Sequence, residues 1–185
     1  MTVDMRSFLQ QIKKSNDLVT VKKKVSTKYE VAAVTAKLDG SKAALFENIN
    51  GSKFKLVSNL VGSRDRFAQA IGSKKSNINQ KIIRAISSAK KPKTSATAKF
   101  FENSSKDTSI LPIVTHFQNE SGPFITSSIL YTKNLETKSQ NSSFHRLMPI
   151  GKRQFSIRMV EGRDLHRSFM FAKKHGEDLP IAITV

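Results

Sequence analysis

The sequence contains no cysteine. That excludes a disulfide framework and thiolate metal sites, leaves any catalysis to other side chains, and suits a reducing cell interior. Long apolar runs are missing too. The opening MTVDMRSFLQQIKK has no signal-peptide core, and no run approaches the roughly eighteen residues that a membrane span needs. A soluble cytoplasmic protein is the expectation. Acidic residues are scarce, 14 against 32 Lys and Arg, which leaves a net charge of +18. A balance of that sign suits phosphate-rich partners or an anionic small substrate. The basic residues, however, are mostly lysines spread along the chain and dense between Lys74 and Lys99. Zinc-finger spacing, an RNP-like aromatic strand and a glycine-rich phosphate loop are all absent, so nucleic acid is not the favoured partner.

Two catalytic signatures are also lacking. The histidines His116, His145, His166 and His175 form no HxxxH or HExxH pair, which removes the common zinc patterns. The serine-rich runs lack a G-x-S-x-G elbow, so their hydroxyls are read as partners for strand and turn backbone. No internal repeat or heptad series is visible.

What remains is a chain of 185 residues with 38% hydrophobic content, enough for a core in one domain or two small ones. Met5, Phe8, Leu9 and Ile12 recur at helical spacing, a helix ending near Ser15-Asn16. Leu18 to Val25 alternates as a strand. Ser26 and Thr27 are placed to cap a second helix with Val31, Val34 and Leu38 inward and Gly40 as its stop. Ala43 to Phe46 and Phe54 to Leu60 read as strands joined through Asn50-Gly51. A short helix opens at Gly62-Ser63 with Phe67 and Ile71 inward, and Ile78, Ile82 and Ile86 continue a helical series to about Ala89.

The Lys-, Pro- and Ser/Thr-rich stretch at 91–99 reads as a linker. It separates an α/β domain, 1–90, from a strand-rich domain, 100–185. The second half predicts strands at Ile110–Phe117, Phe124–Thr132, Ser143–Leu147 and Phe155–Met159. A helix with Leu165, Phe169 and Ala172 inward follows, then a strand from Leu179. That rhythm suits a mostly antiparallel sheet or barrel. The run SQNSSFHRLMPIG, Ser139 to Gly151, is too polar and unperiodic for an ordinary connection. It reads as a functional loop holding Gln140, His145 and Arg146.

Around that run lie residues suited to one kind of chemistry. Asn141 offers a neutral carbonyl oxygen and Asp164 a carboxylate, both hard donors for Mg²⁺ or Mn²⁺. Arg146, Arg158 and Arg163 are cationic forks for phosphate or carboxylate. The segments MRSFL, ALFENINGSKFKLVSNLVGSRDRFAQAIG, GPFITSSILYTKNLETKSQNSSFHRLMPI and FSIRMVEGRDLH together resemble the UbiD family of reversible decarboxylases. The likeness is strongest to the archaeal branch that acts on trans-anhydromevalonate 5-phosphate in isoprenoid synthesis. It covers nearly all of this chain and the N-terminal portion of the family's usual length.

The resemblance implies an N-terminal α/β domain followed by the first part of a split β-barrel of the flavin-reductase type. It also implies prenylated FMN as cofactor, and Mn²⁺ with K⁺ as a further candidate ion. By the same resemblance, Asn141 matches the metal-binding Asn, and Arg146 the active-site Arg beside the reacting carbon. Phe144, His145 and Arg146 match one flavin-contacting segment, Arg158, Met159 and Val160 a second, and Arg163 and Asp164 a third. Thr126 is placed at the flavin pocket. Some relatives carry a metal-binding His where this chain has Asp164. The family's glutamate metal ligand and catalytic carboxylates lie beyond Val185.

The chain is expected to be either truncated or one half of a split enzyme, and the implied partners are an unsaturated carboxylic acid substrate, a second chain carrying the missing C-terminal half, and a flavin prenyltransferase as cofactor supplier, in a homo- or hetero-oligomer. The alternative expectation is a non-catalytic remnant of the same fold that binds flavin or nucleic acid.

Overall fold

Asp4 starts the first helix by accepting from the Ser7 backbone amide at 2.8 Å, while its own amide donates to Ser7 Oγ at 3.1 Å. This reciprocal cap satisfies two of the amides that a helix start leaves open. The structure is a computed structural model that describes residues 4–90, 96 and 102–185. The linker expected at 91–99 lies outside the described residues apart from Ala96. Contacts divide the chain into two units, Met1–Lys106 with Ile110–Pro112, and Asp107–Ser109 with Ile113–Val185.

In the first unit, α1 (Met5–Lys14) buries Phe8 and Ile12 and leaves Met5 exposed. Strands β1 (Leu18–Val21) and β2 (Ala43–Phe46) run parallel, with α2 (Glu30–Lys37) between them in sequence. β3 (Leu56–Ser58) returns antiparallel to β2, giving the order β1-β2-β3. Phe8, Ile12, Leu18 and Ala43 form the core cluster, with Leu9, Leu45, Leu60 and Ala70 packed against it.

Two expectations shift here. The first strand stops at Val21, and Val25 makes only an isolated bridge to Ile49. The second helix begins at Glu30 rather than directly after Ser26-Thr27, because Tyr29 adopts φ 71° and turns the chain into the helix. Ser26 instead donates its amide to Glu30 Oε2 at 2.6 Å.

In α3 (Arg64–Ala70), capped by Ser63 Oγ, the buried side chains are Arg66 and Ala68, while Phe67 and Ile71 are half-buried. Arg66 is 1% exposed. It donates to the carbonyls of Leu60 and Asn59, each at 3.3 Å, and to the carbonyl of Ser41. Asp17 Oδ1 lies 3.9 Å from its Nη1. One guanidinium therefore fastens the chain around β3 to the segments before β1 and β2. In α4 (Ile78–Ser87) only Ile78 is buried, while Ile82 and Ile86 of the same helical series are exposed.

The second unit is built on an antiparallel sheet of β4 (Ile125–Lys133), β5 (Gln140–Gly151), β6 (Gln154–Ile157) and β7 (Ile181–Thr184), in the order β6-β5-β4-β7. Helix α5 (Asp164–Lys174) buries Leu165, Ser168 and Ala172, with Phe169 turned partly to solvent. Among the described residues the four strands form an open sheet. The mixed α/β class expected from the sequence is the class observed.

Two corrections concern this unit. The strand expected over Ile110–Phe117 reduces to a single bridge between Val114 and Phe124, since Pro112 carries no amide for a ladder and a 3₁₀ turn occupies Thr108–Ile110. The polar run Ser139–Gly151, read as a loop with a short strand inside, is almost entirely β5, a 12-residue strand paired with β4 on one edge and β6 on the other. The hairpin before it turns on Asn134, whose Oδ1 accepts from the amides of Glu136 at 2.8 Å and Thr137 at 2.9 Å.

Candidate functional site

Because β5 is a strand, its neighbours in sequence alternate between faces. The register pairs Thr132 with Asn141, Leu130 with Ser143 and Ser128 with His145. Those residues share one face, on which Ser128, Leu130, Thr132 and Leu147 are buried. Ser128 Oγ donates to the His145 carbonyl at 2.6 Å, Ser143 Oγ lies 2.9 Å from His145 Nε2, and Thr132 Oγ1 donates to the Pro180 carbonyl at 3.0 Å. His145 is thus tied in by its own backbone carbonyl and by a neighbouring hydroxyl.

The opposite face carries Gln140, Ser142, Phe144 and Arg146, with Phe144 opposite Ile129 and Ser142 opposite Tyr131. Phe144 is 79% exposed and Tyr131 44%, so this face presents open aromatic surface. The Arg146 guanidinium carbon lies 4.7 Å from the centroid of the Phe124 ring. A cation over a ring face is attracted by its quadrupole, and the stacking limits where the guanidinium swings. Phe124 is itself placed by its amide, which donates to the Val114 carbonyl at 2.9 Å.

The structure therefore brings Phe144 and Arg146 together and puts Asn141 and His145 on the other side of the sheet. Thr126 lies in the β4 irregularity where the register shifts between Ile125 and Ser128, and is exposed. Arg158, Met159 and Val160 form the irregular segment after β6, with Met159 half-buried and the other two exposed. Arg163 is the N-cap residue of α5 and makes no side-chain cap bond, and Asp164 follows as the first helical residue. Gly162 turns the chain into that helix at φ 75°, and its amide donates to His166 Nδ1 at 3.2 Å.

Asn141 and Asp164 supply two kinds of oxygen donor, but among the described residues no three His, Asp or Glu side chains converge as a metal cluster. A hard divalent ion takes about six oxygen ligands. The residues present therefore do not make a metal site by themselves. A flat aromatic ligand with an anionic tail fits better. Exposed Phe144 and Tyr131 offer it ring surface, and Arg146, Arg158 and Arg163 make no ion pair among the described residues.

Sequence reasoning missed Phe124 and Ser128 as the residues that hold Arg146 and the His145 backbone. Their signal was only the GPF turn leading into a strand.

Two family profiles match in succession: the 3-octaprenyl-4-hydroxybenzoate carboxy-lyase N-terminal domain over residues 9–86, and the carboxy-lyase Rift-related domain over residues 88–185. An anhydromevalonate phosphate decarboxylase of Methanothermobacter thermautotrophicus is 28% identical over 98% of this chain and 42% of its own length. Among solved structures, the UbiD-class enzyme HmfF from Pelotomaculum thermopropionicum in complex with FMN superposes with a TM-score of 0.93 at 28% identity. That match covers 97% of this chain and 42% of that one. An evolved dimeric form of HmfF in complex with prFMN gives a TM-score of 0.87 at 27% identity, covering 97% and 43%. This chain thus spans well under half the length of the relatives it matches. With both domain profiles matched in order along nearly its whole length, the chain belongs to the UbiD carboxy-lyase family.

Proposed function

We propose that this chain is the flavin-binding part of a UbiD-class decarboxylase that uses prenylated FMN on an α,β-unsaturated carboxylic acid. The substrate we assign is trans-anhydromevalonate 5-phosphate, on a route to isoprenoids in the cytoplasm. The observation that carries the reading is the open face of the β4–β5 sheet, where an exposed aromatic, Phe144, stands beside an arginine stacked on Phe124. The name of the archaeal relative supports the substrate class, and the excess of Lys and Arg suits a phosphorylated acid.

In this reading Phe144 and Thr126 meet the flavin ring, with Met159 and Val160 as apolar contacts. Arg158 and Arg163 meet its phosphate as bidentate forks. Arg146, held over the Phe124 ring, contacts the flavin and also receives the substrate carboxylate, orienting it and stabilising charge that develops as the carboxylate leaves. When bound, the prenylated flavin supplies the electron sink for loss of CO₂. His145, joined to Ser143, would order β5 on the face of the sheet opposite Phe144 and Arg146.

Arg146 meets no carboxylate among the described residues, and in this reading the acid that protonates the product carbon is supplied from outside them, by a second chain. Mn²⁺ or K⁺ joins Asn141 and Asp164 only with oxygen ligands from that chain. A flavin prenyltransferase supplies the cofactor, and the segment 91–99 serves as the linker between the two domains.

The test is flavin titration of the chain made together with a flavin prenyltransferase, followed by absorbance and by native mass spectrometry. The chain should retain flavin, and Phe144→Ala and Arg146→Ala should each weaken retention roughly tenfold or more. A chain that takes up no flavin, or an Arg146→Ala variant with unchanged affinity, would sink the reading.

A further inference from the structure

We infer that α4 docks on an anionic lipid surface. The helix carries two features that the described residues leave unused. On one side Ile82, Ile83 and Ile86 are 38%, 62% and 74% exposed, although isoleucine is among the residue types most often buried. On the other side Lys74, Asn77, Gln80, Lys81 and Arg84 line a shallow recess of about 260 Å³. Lys74, Lys81 and Arg84 make no ion pair among the described residues; Lys75 beside them pairs with Asp65 at 2.9 Å. Between Asp65 and Glu102 the sequence holds no acidic residue at all. From Asn79 to Ser87 every residue is exposed, so the helix is held to its own unit through Ile78.

These features together select the partner. A second copy of this chain would bring another +18 charge against the same cations, and like charges repel at that range. A nucleic acid would match the cations and leave three isoleucines in water. An occupant that is both anionic and apolar satisfies both faces. An anionic bilayer offers phosphate charge at its surface and hydrocarbon just beneath it, without needing a complementary shape. A basic helix with a continuous aliphatic face lies in that interface with the aliphatic face inserted and its cations in the headgroup field. The contact is peripheral, since no helix among the described residues is long and apolar enough to cross a membrane.

The experiment is co-flotation of the full chain with vesicles of phosphatidylglycerol and phosphatidylcholine in equal parts, against vesicles of phosphatidylcholine alone. Binding should appear on the anionic vesicles and weaken at least about tenfold when salt is raised from 50 to 500 mM. The double variant Ile83→Ser/Ile86→Ser changes only exposed positions. It should keep the wild-type circular dichroism spectrum and lose about tenfold or more in partitioning. Lys81→Glu gives a second route to the same loss through charge.

Absence of binding to the anionic vesicles would overturn the inference. So would equal binding to both vesicle types, or binding that ignores the isoleucine substitutions, because net charge alone would then explain it. Failure on vesicles with tight, isoleucine-dependent binding to an acidic protein would also overturn it and assign the helix to a protein partner.

Discussion

Replacing Arg66 tests whether a buried cation, rather than the apolar cluster alone, fixes the first unit. Its guanidinium is enclosed and donates to three backbone carbonyls, those of Ser41, Asn59 and Leu60. Arg66→Met keeps much of the stem's volume and leaves those carbonyls without a donor. A hydrogen bond to a charged group contributes about 1.5–3 kcal/mol, and breaking a buried charged network typically costs about 3–5 kcal/mol. The sum of three bonds overshoots, because the charge itself was costly to bury and part of that cost is recovered when it goes.

The expected loss is therefore about 3 kcal/mol. With a urea slope of roughly 1–3 kcal/mol per molar, the midpoint should fall by more than about 1 M. Asp17→Asn is the control. Asp17 is 3.9 Å away with a side chain 42% exposed, so its pairing contributes under about 1 kcal/mol. Urea unfolding followed by circular dichroism on both variants decides the matter. An Arg66→Met protein within about 1 kcal/mol of wild type, or an Asp17→Asn variant equally damaged, would refute the view that the carbonyls are what Arg66 holds.

Two further outcomes follow from smaller features. Phe124→Leu removes the ring under Arg146 and should cost about 0.5–1 kcal/mol of flavin affinity, a two- to fivefold loss in titration, whereas Phe124→Tyr should keep it. The Ser7 backbone amide holds the Asp4 carboxyl below its ordinary range, so the cap's contribution is complete above the unfolded value and is lost as pH falls through the folded one. Protection of the Ser7 amide, taken relative to its intrinsic exchange rate at each pH, should therefore fall on acidification below the ordinary carboxylate range and stay flat above it. An Asp4→Ala variant should show no such pH dependence.

Much of the fold was legible because apolar periodicity and turn chemistry agreed. Phe8 and Ile12 marked the buried side of α1, Asn50-Gly51 the turn between β2 and β3, and Gly176 at φ 68° the end of α5. The polar strand β5 was not legible. It carries Asn, Ser and His on one face and Gln, Ser and Arg on the other, so no apolar period announces it. Its order comes from backbone pairing on both edges, which a single sequence does not display. Arg66 was hidden for a related reason. Its partners are carbonyls, and carbonyls carry no residue identity. The isoleucines of α4 mark the limit of the same signal: their period announced the helix, but such a period does not show whether anything covers the apolar side.

The candidate site residues came as a set from family likeness. Their separation by the sheet followed only from the register.

That separation makes the length of the hairpin between β4 and β5 a switch with two settings. With the connection at its present length, odd positions of β5 look toward the buried serine and threonine, and even positions toward the open aromatic face. Adding or removing one residue there would exchange the two sets wholesale, turning Phe144 inward and Asn141 outward without altering a single functional side chain. Substitutions in the turn that keep Asn134 and the residue count should therefore leave the site facing as it does, whereas a single insertion or deletion there should not.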